Sequence, residues 1–301
     1  MKLAIVLIDS PERDVSARSA KAVASAARQA GFDVIEISLI DDLAGLDKIP
    51  KGMVVLPISH GVNAEDGWVQ TELEKRGLPF LGSDSQSSKN CFDKWRARQM
   101  FIGAGIKMPE AVRVNRESFS KQALAQKPYV LKILSGGSSI GTLIARDPLA
   151  VKQSQIDELF DMENDAVLEE LIEGAEITVP ILDHKALPVI EIIPPTDGEF
   201  DYDNKYNGAT QEIVPPENVP ADVQKKAQEI AEKVHRTMGC RHLSRTDFMV
   251  DKAGDLFALE INTMPGLTDQ SLYPKAAAAA GMDMPALITK FVELVKRDYS
   301  I

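Results

Sequence analysis

Between Arg245 and Leu272, four polar side chains recur at alternate positions of two short apolar strands. Thr246, Phe248 and Val250 alternate with Arg245, Asp247 and Met249. After a turn at Asp251–Asp255, Phe257, Leu259 and Ile261 alternate with Ala258, Glu260 and Asn262. A hairpin closed symmetrically about Ala253 and Gly254 sets Asp247 opposite Glu260 and Arg245 opposite Asn262, because strand side chains have period two. One face is then wholly apolar, and the other carries an Asp, a Glu, an Asn and an Arg. Two carboxylates and an amide oxygen on adjacent strands are hard donors suited to Mg²⁺, an ion held by a few carboxylates together with substrate phosphates. Alternating acids also occur as a plain solvated face. Three oxygen donors in matched register favour the metal.

A second group points to phosphate. Lys132 lies inside the apolar strand Pro128–Leu134, followed by the glycine-rich loop Ser135–Gly141 and a returning strand, Thr142–Arg146. Glycine lets backbone N–H groups approach an anion closely, and a nearby lysine supplies the countercharge. No Gly-Lys-Ser/Thr follows and the next element is β-branched, so this is not a Walker loop. The competing reading is a mobile hairpin turn. Glu12 and His60 follow the first and third strands, where open parallel sheets bind ligands. Their plain alternatives are a helix cap and a satisfied turn.

These residues need scaffolds of two kinds. Residues 3–9, 33–39, 53–59 and 79–82 read as strands, with helices at about 15–30, stopped by Gly31, and through 68–74. Strand and helix alternating over short connections make a small open parallel sheet. From about residue 85 the pattern changes. A helix over 88–104 contains Asp93 and Lys94, and a short strand and a helix near 116–126 precede the glycine-rich hairpin. Then come Ala166–Leu168 running into Glu169–Glu176, and strands 177–182 and 187–192. The polar connection 194–214 contains Lys205 and Tyr206 and is long enough to be a functional lid. A helix over 221–238, the Arg245–Leu272 hairpin and a last helix over 284–298 complete the chain.

A chain of 301 residues is long enough for two or three domains with full cores. A net charge of -11 argues against a general grip on nucleic acid or anionic membrane. Cys91 and Cys240 are too few for a disulfide framework or a thiolate zinc site, which implies a reducing compartment. The apolar run Leu3–Ile8 is too short for a signal-peptide core or a membrane span and reads as a buried strand. The expected location is the cytoplasm.

Taken in order, several motifs resemble one family. They are His60-Gly61-Val62-Asn63-Ala64-Glu65-Asp66-Gly67 with Gln70, Cys91-Phe92-Asp93-Lys94, and Lys132 with Gly137-Ser138-Ser139-Ile140-Gly141. Lys205-Tyr206, Arg245-Thr246-Asp247, and Glu260-Ile261-Asn262 running through Pro265-Gly266-Leu267-Thr268 to Ser271-Leu272 follow. The set resembles the D-alanine–D-alanine ligases of the ATP-grasp superfamily nearly end to end.

The resemblance implies an α/β and α+β chain with the ATP-grasp fold. An N-terminal open parallel α/β substrate domain (1–85) would precede two α+β domains, 86–174 and 175–301, that sandwich ATP. It implies ATP-dependent ligation of two D-alanines through an acyl phosphate, giving D-alanyl-D-alanine for peptidoglycan, and so for cell wall and cell shape. Phosphoryl transfer rests on positioning and charge neutralisation, so metal and lysines suit it. By the same resemblance Asp247, Glu260 and Asn262 hold Mg²⁺, or Mn²⁺ in its place. Lys94, Lys132, Lys205 and Ser138 meet the ATP phosphates. Glu169, Glu170, Leu171 and Ile172 meet adenine, with Glu176 on the ribose; the plain alternative for these acids is a solvated strand end. Glu12 takes the ammonium of the first D-alanine beside His60, and Glu12, Ser138 and Tyr206 form a hydrogen-bonded set. Arg245 and the Gly266 N–H stabilise the oxyanion, and Ser271 and Leu272 hold the second carboxylate, although Gly266 also suits a turn and Ser271 a helix cap. The implied partners are ATP, D-alanine and a second copy of the chain, without nucleic acid or membrane.

Two departures from the family pattern surround the first amino-acid site. Ile8-Asp9-Ser10-Pro11 stands where a Gly-Gly turn is usual, and Ala64 stands where glycine is usual. Related ligases that accept D-lactate, D-serine or other amino acids are the nearest alternative, against which Lys205-Tyr206 discriminates modestly. A non-catalytic nucleotide-binding regulator and a metal-dependent hydrolase are the alternatives from other classes; the hydrolase lacks an evident general base beside the hairpin.

Overall fold

Leu3, Ala4, Ile5 and Val6 offer water no polar face, so the strand they form must be covered on both sides. In the computed structural model, which describes residues 1–8, 12–39, 43–137, 140–195 and 210–301, these four are at most 1% exposed. They belong to β1 (Lys2–Ile8), the middle strand of a parallel sheet between β2 (Asp33–Leu39) and β3 (Val54–Pro57). Helix α1 (Arg13–Gln29) packs Val23, Ala24 and Ala27 into the core beside this sheet. The expected fourth strand at 79–82 reduces to one parallel bridge, Phe80 to Val55. Pro79 has no N–H to donate, and Gly82, at φ 101°, turns the chain away. Helix α2 (Trp68–Lys75) follows the third strand as expected.

The helix expected over 88–104 is two helices, α3 (Ser85–Phe92) and α4 (Lys94–Gly103). Asp93 separates them with extended backbone, and its carboxylate accepts from Arg96 N at 2.9 Å. An Asp competes for backbone N–H groups, so it stabilises a helix start more than a helix middle. Lys94 therefore begins a helix instead of lying inside one. The helix expected near 116–126 is also divided, into α5 (Arg116–Phe119) and a single 3-10 turn at Ala123–Gln126.

The next sheet is antiparallel, formed by β4 (Ala111–Asn115), β5 (Tyr129–Ile133), β6 (Thr142–Ala145) and β7 (Asp165–Glu170) in the order β4-β7-β5-β6. Ile156, Leu159 and Phe160 of α6 (Gln153–Met162) share its core with Tyr129 and Leu131. The third sheet comprises β8 (Gly174–Leu182), β9 (Lys185–Ala186), β10 (Ile190–Ile193), β11 (Gln211–Ile213), β12 (Leu243–Asp251) and β13 (Leu256–Asn262). Its order is β11-β10-β8-β12-β13, with β9 on β8. Helix α7 (Ala221–Thr237) packs Val223, Ala227, Ala231 and Val234 against Ile177, Val179, Phe248 and Val250.

The β12–β13 register is Arg245 to Asn262 and Asp247 to Glu260, as the alternation implied. Towards the turn it changes to Phe248 with Ala258, Met249 with Phe257 and Val250 with Leu256, across a bulge next to Asp247. The core face is consequently Phe248, Val250, Leu256, Ala258 and Ile261. Phe257 and Leu259, expected on the apolar face, leave it. Leu259 lines a cleft beside Glu260, and the Lys107 ammonium lies 4.1 Å over the Phe257 ring. Bulges re-aim side chains next to functional sites in this way.

After β13 come α8 (Leu272–Ala279) and α9 (Met284–Tyr299). Leu287, Ile288, Phe291 and Val295 of α9 are fully buried in one core with Val23 and Ala27 of α1 and Leu3 and Leu56 of the parallel sheet. Each such side chain contributes about 1.5–3 kcal/mol by burial. The two ends of the chain thus build one core, and they fix where α8 and the β13 end lie relative to β1 and β3.

Candidate active site

Two clefts converge. One, of 650 Å³, lies beyond the carboxyl ends of β1 and β3 and is lined by Glu12, His60, Glu65, Arg245, Asn262, Gly266, Ser271 and Leu272. The other, of 430 Å³, lies between the two antiparallel sheets and is lined by Lys132, Glu169, Glu170, Leu171, Ile172, Glu176, Asp247 and Leu259. Lys94, Gly136, Gly137 and Glu260 line both. A group held in one can therefore reach a group held in the other across those four residues.

Glu12 occupies the N-cap position of α1 but makes no side-chain cap hydrogen bond, and it is 4% exposed. Its carboxylate is instead collared by two glycines. A Cβ on Gly61, whose φ is 79°, or on Gly137 would stand 2.9 Å from Glu12 Oε1. Both positions need glycine for that close approach. His60 is fixed at both ring nitrogens, Nδ1 3.0 Å from Met264 O and Nε2 3.2 Å from Ser19 Oγ. With Nδ1 facing a carbonyl, that nitrogen carries the proton. Burial lowers the His60 pKa to about 4 against the opposing Met264 carbonyl bond, so the ring is neutral. The turn reading of His60 is thereby set aside, since its ring ties α1 to the segment after β13.

Arg245 donates two bonds to Asp247, Nε to Oδ1 at 2.9 Å and NH2 to Oδ2 at 2.8 Å. Thr178 Oγ1, on the adjacent strand β8, donates to Asp247 Oδ1 at 2.5 Å. Burial alone would lower the Arg245 pKa, but Asp247 outweighs it and raises it further. The residues given separate tasks by sequence, oxyanion for Arg245 and metal for Asp247, are here bonded to each other. Asn262 Oδ1 accepts from Met264 N at 2.8 Å. Among the described residues no three His, Cys, Asp or Glu side chains gather as a metal site; the third donor implied by the resemblance is the Asn262 amide. Two carboxylates on paired positions plus one amide oxygen fit a hard divalent cation that keeps phosphate and water as its other ligands.

The lysines sit where α4 and β5 meet the glycine-rich loop. Lys94 Nζ donates to Gly136 O at 2.6 Å, and its backbone N donates to Leu134 O at 3.0 Å. Burial lowers the Lys94 pKa, partly countered by Glu260. Lys132 Nζ lies 2.9 Å from Glu169 Oε2. Burial works to lower the Lys132 pKa, but Glu169 and Glu260 together raise it. Glu169 is 5% exposed, which excludes the solvated-end reading for it, whereas the partly exposed Glu170 accepts from Glu110 N at 2.8 Å. Leu171 and Ile172 connect β7 of one sheet to β8 of the other along the cleft wall, and Glu176 projects from β8 beside Ile192.

Ser271 stands at the N-cap of α8, yet its hydroxyl turns back, accepting from Thr268 N at 3.1 Å and bonding Thr268 Oγ1 at 2.7 Å. A Cβ on Gly266 would lie 2.8 Å from the same hydroxyl, so Gly266, Ser271 and Leu272 form one corner of the larger cleft. Ser138, Lys205 and Tyr206 lie outside the described residues.

Sequence reasoning passed over Glu65, Arg98 and Thr178. Glu65 is 6% exposed, and its Oε2 accepts from Gly61 N at 2.7 Å. Burial raises its pKa to about 8, against the Gly61 N–H bond and with help from Glu12. Its signal was available: an acid bracketed by Gly61 and Gly67, both with positive φ, sits in a tight turn at the end of a buried strand. Arg98 lies one helical turn after Lys94 and so on the same face.

Known proteins match this chain in sequence and fold. A family model described as "D-ala D-ala ligase C-terminus" matches residues 101–293. The D-alanine–D-alanine ligase of Acidiphilium cryptum is 36% identical over 97% of this chain and 98% of its own length. That of Citrifermentans bemidjiense is 38% identical over 94% of this chain and 92% of its own. The crystal structure of the Bacillus anthracis D-alanine–D-alanine ligase complexed with ATP superposes with a TM-score of 0.85 at 27% identity, over 100% of this chain and 99% of that one.

Proposed function

The chain belongs to the D-alanine–D-alanine ligase family, with the ATP-grasp fold, and we propose that it uses ATP to join two D-alanines into D-alanyl-D-alanine for peptidoglycan synthesis. The observation that carries this reading is the meeting of the two clefts at Lys94, Gly136, Gly137 and Glu260. A nucleotide between the sheets presents its terminal phosphate at that junction, and an amino acid beside Glu12 presents its carboxylate to it.

The chemistry then needs no side-chain nucleophile. The first D-alanine carboxylate takes the terminal phosphoryl group, leaving ADP and an acyl phosphate. The amine of the second D-alanine attacks that carbonyl, and phosphate departs. Glu12 receives the first ammonium, and the neutral His60 orients it without adding positive charge. Lys94 and Lys132 meet phosphate oxygens, and preorganised cations of this kind carry most of the stabilisation in phosphoryl transfer. Mg²⁺, or Mn²⁺, when bound by Asp247, Glu260 and Asn262 supplies further charge neutralisation at the phosphates. Arg245 and the Gly266 N–H face the oxyanion of the second step. The first-turn N–H groups of α8, left uncapped by the Ser271 side chain, receive the second carboxylate together with Leu272. Glu169 to Ile172 hold adenine, and Glu176 the ribose. Ser138, Lys205 and Tyr206 are assigned to phosphate and closure by family resemblance. A cytoplasmic homodimer is part of the same reading. The free, buried Cys91 and Cys240 support its reducing compartment, and the second copy rests on the family resemblance.

The test is release of ADP and phosphate from Mg-ATP against a panel of D- and L-amino acids and D-lactate. D-Alanine alone is expected to stimulate turnover, with mass-spectrometric detection of the dipeptide. No stimulation by D-alanine near neutral pH overturns the reading. Stimulation only when D-serine or D-lactate is added as acceptor replaces it with a related ligase.

A further inference from the structure

The Lys132–Glu169 pair has a third member, which lines neither cleft. Arg98 is 6% exposed, and its NH2 donates to Pro109 O at 2.5 Å. Its NH1 points to Glu169 at 3.9 Å from Oε1, an ion-pair distance but not a hydrogen bond. Among the described residues that buried NH1 has no hydrogen-bond partner at all. A buried guanidinium nitrogen left unpaired carries a desolvation cost, and such a group calls for an explanation.

The geometry supplies one. Glu169 lies between two cations, with Lys132 at 2.9 Å on one carboxylate oxygen and Arg98 at 3.9 Å from the other. Lys132 and Glu169 are diagonal neighbours on the paired strands β5 and β7. Arg98 approaches from α4, whose first residue is Lys94. Without nucleotide, Glu169 is held by the lysine. If the Lys132 ammonium turns to a phosphate oxygen, Glu169 loses its close partner inside a buried wall, where an uncompensated charge is costly. A cation already in place and short of one hydrogen bond offsets that loss.

We propose that Arg98 is a positioning residue for ATP, taking over the Glu169 carboxylate as Lys132 leaves it for phosphate and so keeping Glu169 in line for the base. The inference rests on the assignment of Lys132 to phosphate and of Glu169 to adenine made above. Pro109, to which Arg98 is anchored, lines the same cleft, so the guanidinium also fixes one wall of it.

The experiment measures ATP affinity by calorimetry, and KM for ATP and for D-alanine, in the full-length chain. R98Q, which removes the charge that faces Glu169, is expected to weaken ATP about tenfold, equivalent to ~1.4 kcal/mol. It should leave KM for D-alanine unchanged, a split that a general loss of structure does not produce. In an E169Q background the same R98Q change is expected to add nothing, because the two residues act as one unit. Equal ATP affinity in R98Q and wild type overturns the proposal, as does an undiminished loss in the E169Q background. Should R98Q fail to fold, R98K carries the test. Its single-point cation reaches Pro109 O or Glu169 but not both, so a loss of about threefold is expected, and unchanged affinity overturns the proposal. K132M separates the two levels. If it binds ATP as wild type does, the lysine assignment falls and the proposal with it. If K132M is weakened and R98Q is not, only the proposal falls.

Discussion

Glu65 is an acid of the larger cleft whose protonation is set by its surroundings against its nature. Burial raises its pKa to about 8, with Glu12 adding to the effect and the Gly61 N–H, Arg245 and the Met264 backbone opposing it. A group whose pKa is raised on folding stabilises the fold fully below its unfolded pKa and loses that contribution as pH rises through the folded value. Glu65 therefore weakens the fold progressively between about pH 4.5 and 8. E65Q mimics the protonated side chain at every pH. Its melting temperature relative to wild type is expected to climb by several degrees from pH 5 to pH 8, which corresponds to a few kcal/mol. Parallel melting curves for the two proteins at both pH values would remove Glu65 from this role. The substitution leaves unchanged Glu12, the carboxylate proposed for the first ammonium. ATP binding between the sheets should be untouched.

At the scale of elements, the placement of Lys94 depends on a helix start. Asp93 ends α3 and caps α4, so the lysine stands at the first helical position with its backbone N tied to Leu134. D93A is expected to cost about 1 kcal/mol of stability through the lost cap and to raise KM for ATP, while D93N, which still accepts from Arg96 N, keeps both near wild type. A D93A protein that melts and binds like wild type would falsify the link. The same element marks a limit of sequence reading. Asp inside a stretch of helix-formers reads as a mid-helix residue or as a cap, and only the Leu134 and Ser135 backbone docked against it selects the cap. The hairpin shows the converse. The register at Asp247 and Glu260 was legible because period two and a short turn leave few alternatives. The bulge was not, since the sequence alternation gives no sign of one extra residue at Leu259, which turns Phe257 and Leu259 off the core face and Leu256 and Ala258 onto it. Glu12 and His60 were legible as strand-end residues, but their burial and collar depend on glycines distant in sequence.

Across the whole molecule, three buried histidines make acid the weak side of the fold. His242 Nδ1 accepts from Gly82 N at 3.0 Å and its Nε2 lies 3.1 Å from Asp298, so one ring joins the segment after the parallel sheet, the start of β12 and the last turn of α9. Burial lowers its pKa to about 4, with Arg241 and Arg297 adding to the effect and Asp298 opposing it. His235, bonded to Ser244 Oγ at 2.7 Å, is lowered to about 3 by burial, with His184, Arg236 and His242 acting the same way and Asp183 against. His60 lies near 4 for the reason already given. Each binds a proton more readily unfolded than folded, so its stabilisation is whole above pH 6.5 and is lost as pH falls towards the folded pKa. At pH 5 that is on the order of 2 kcal/mol per histidine. Glu65 works in the other direction over the same interval and offsets roughly one of the three. A net fall of a few kcal/mol in unfolding free energy from pH 7 to pH 5 is therefore expected in urea titrations. His235→Asn, which removes one titrating group, should reduce that fall by roughly 1–2 kcal/mol even if it lowers stability at both pH values. A wild-type unfolding energy that stays level between pH 7 and pH 5 would mean that these rings are not held neutral by the packing that joins the two ends of the chain.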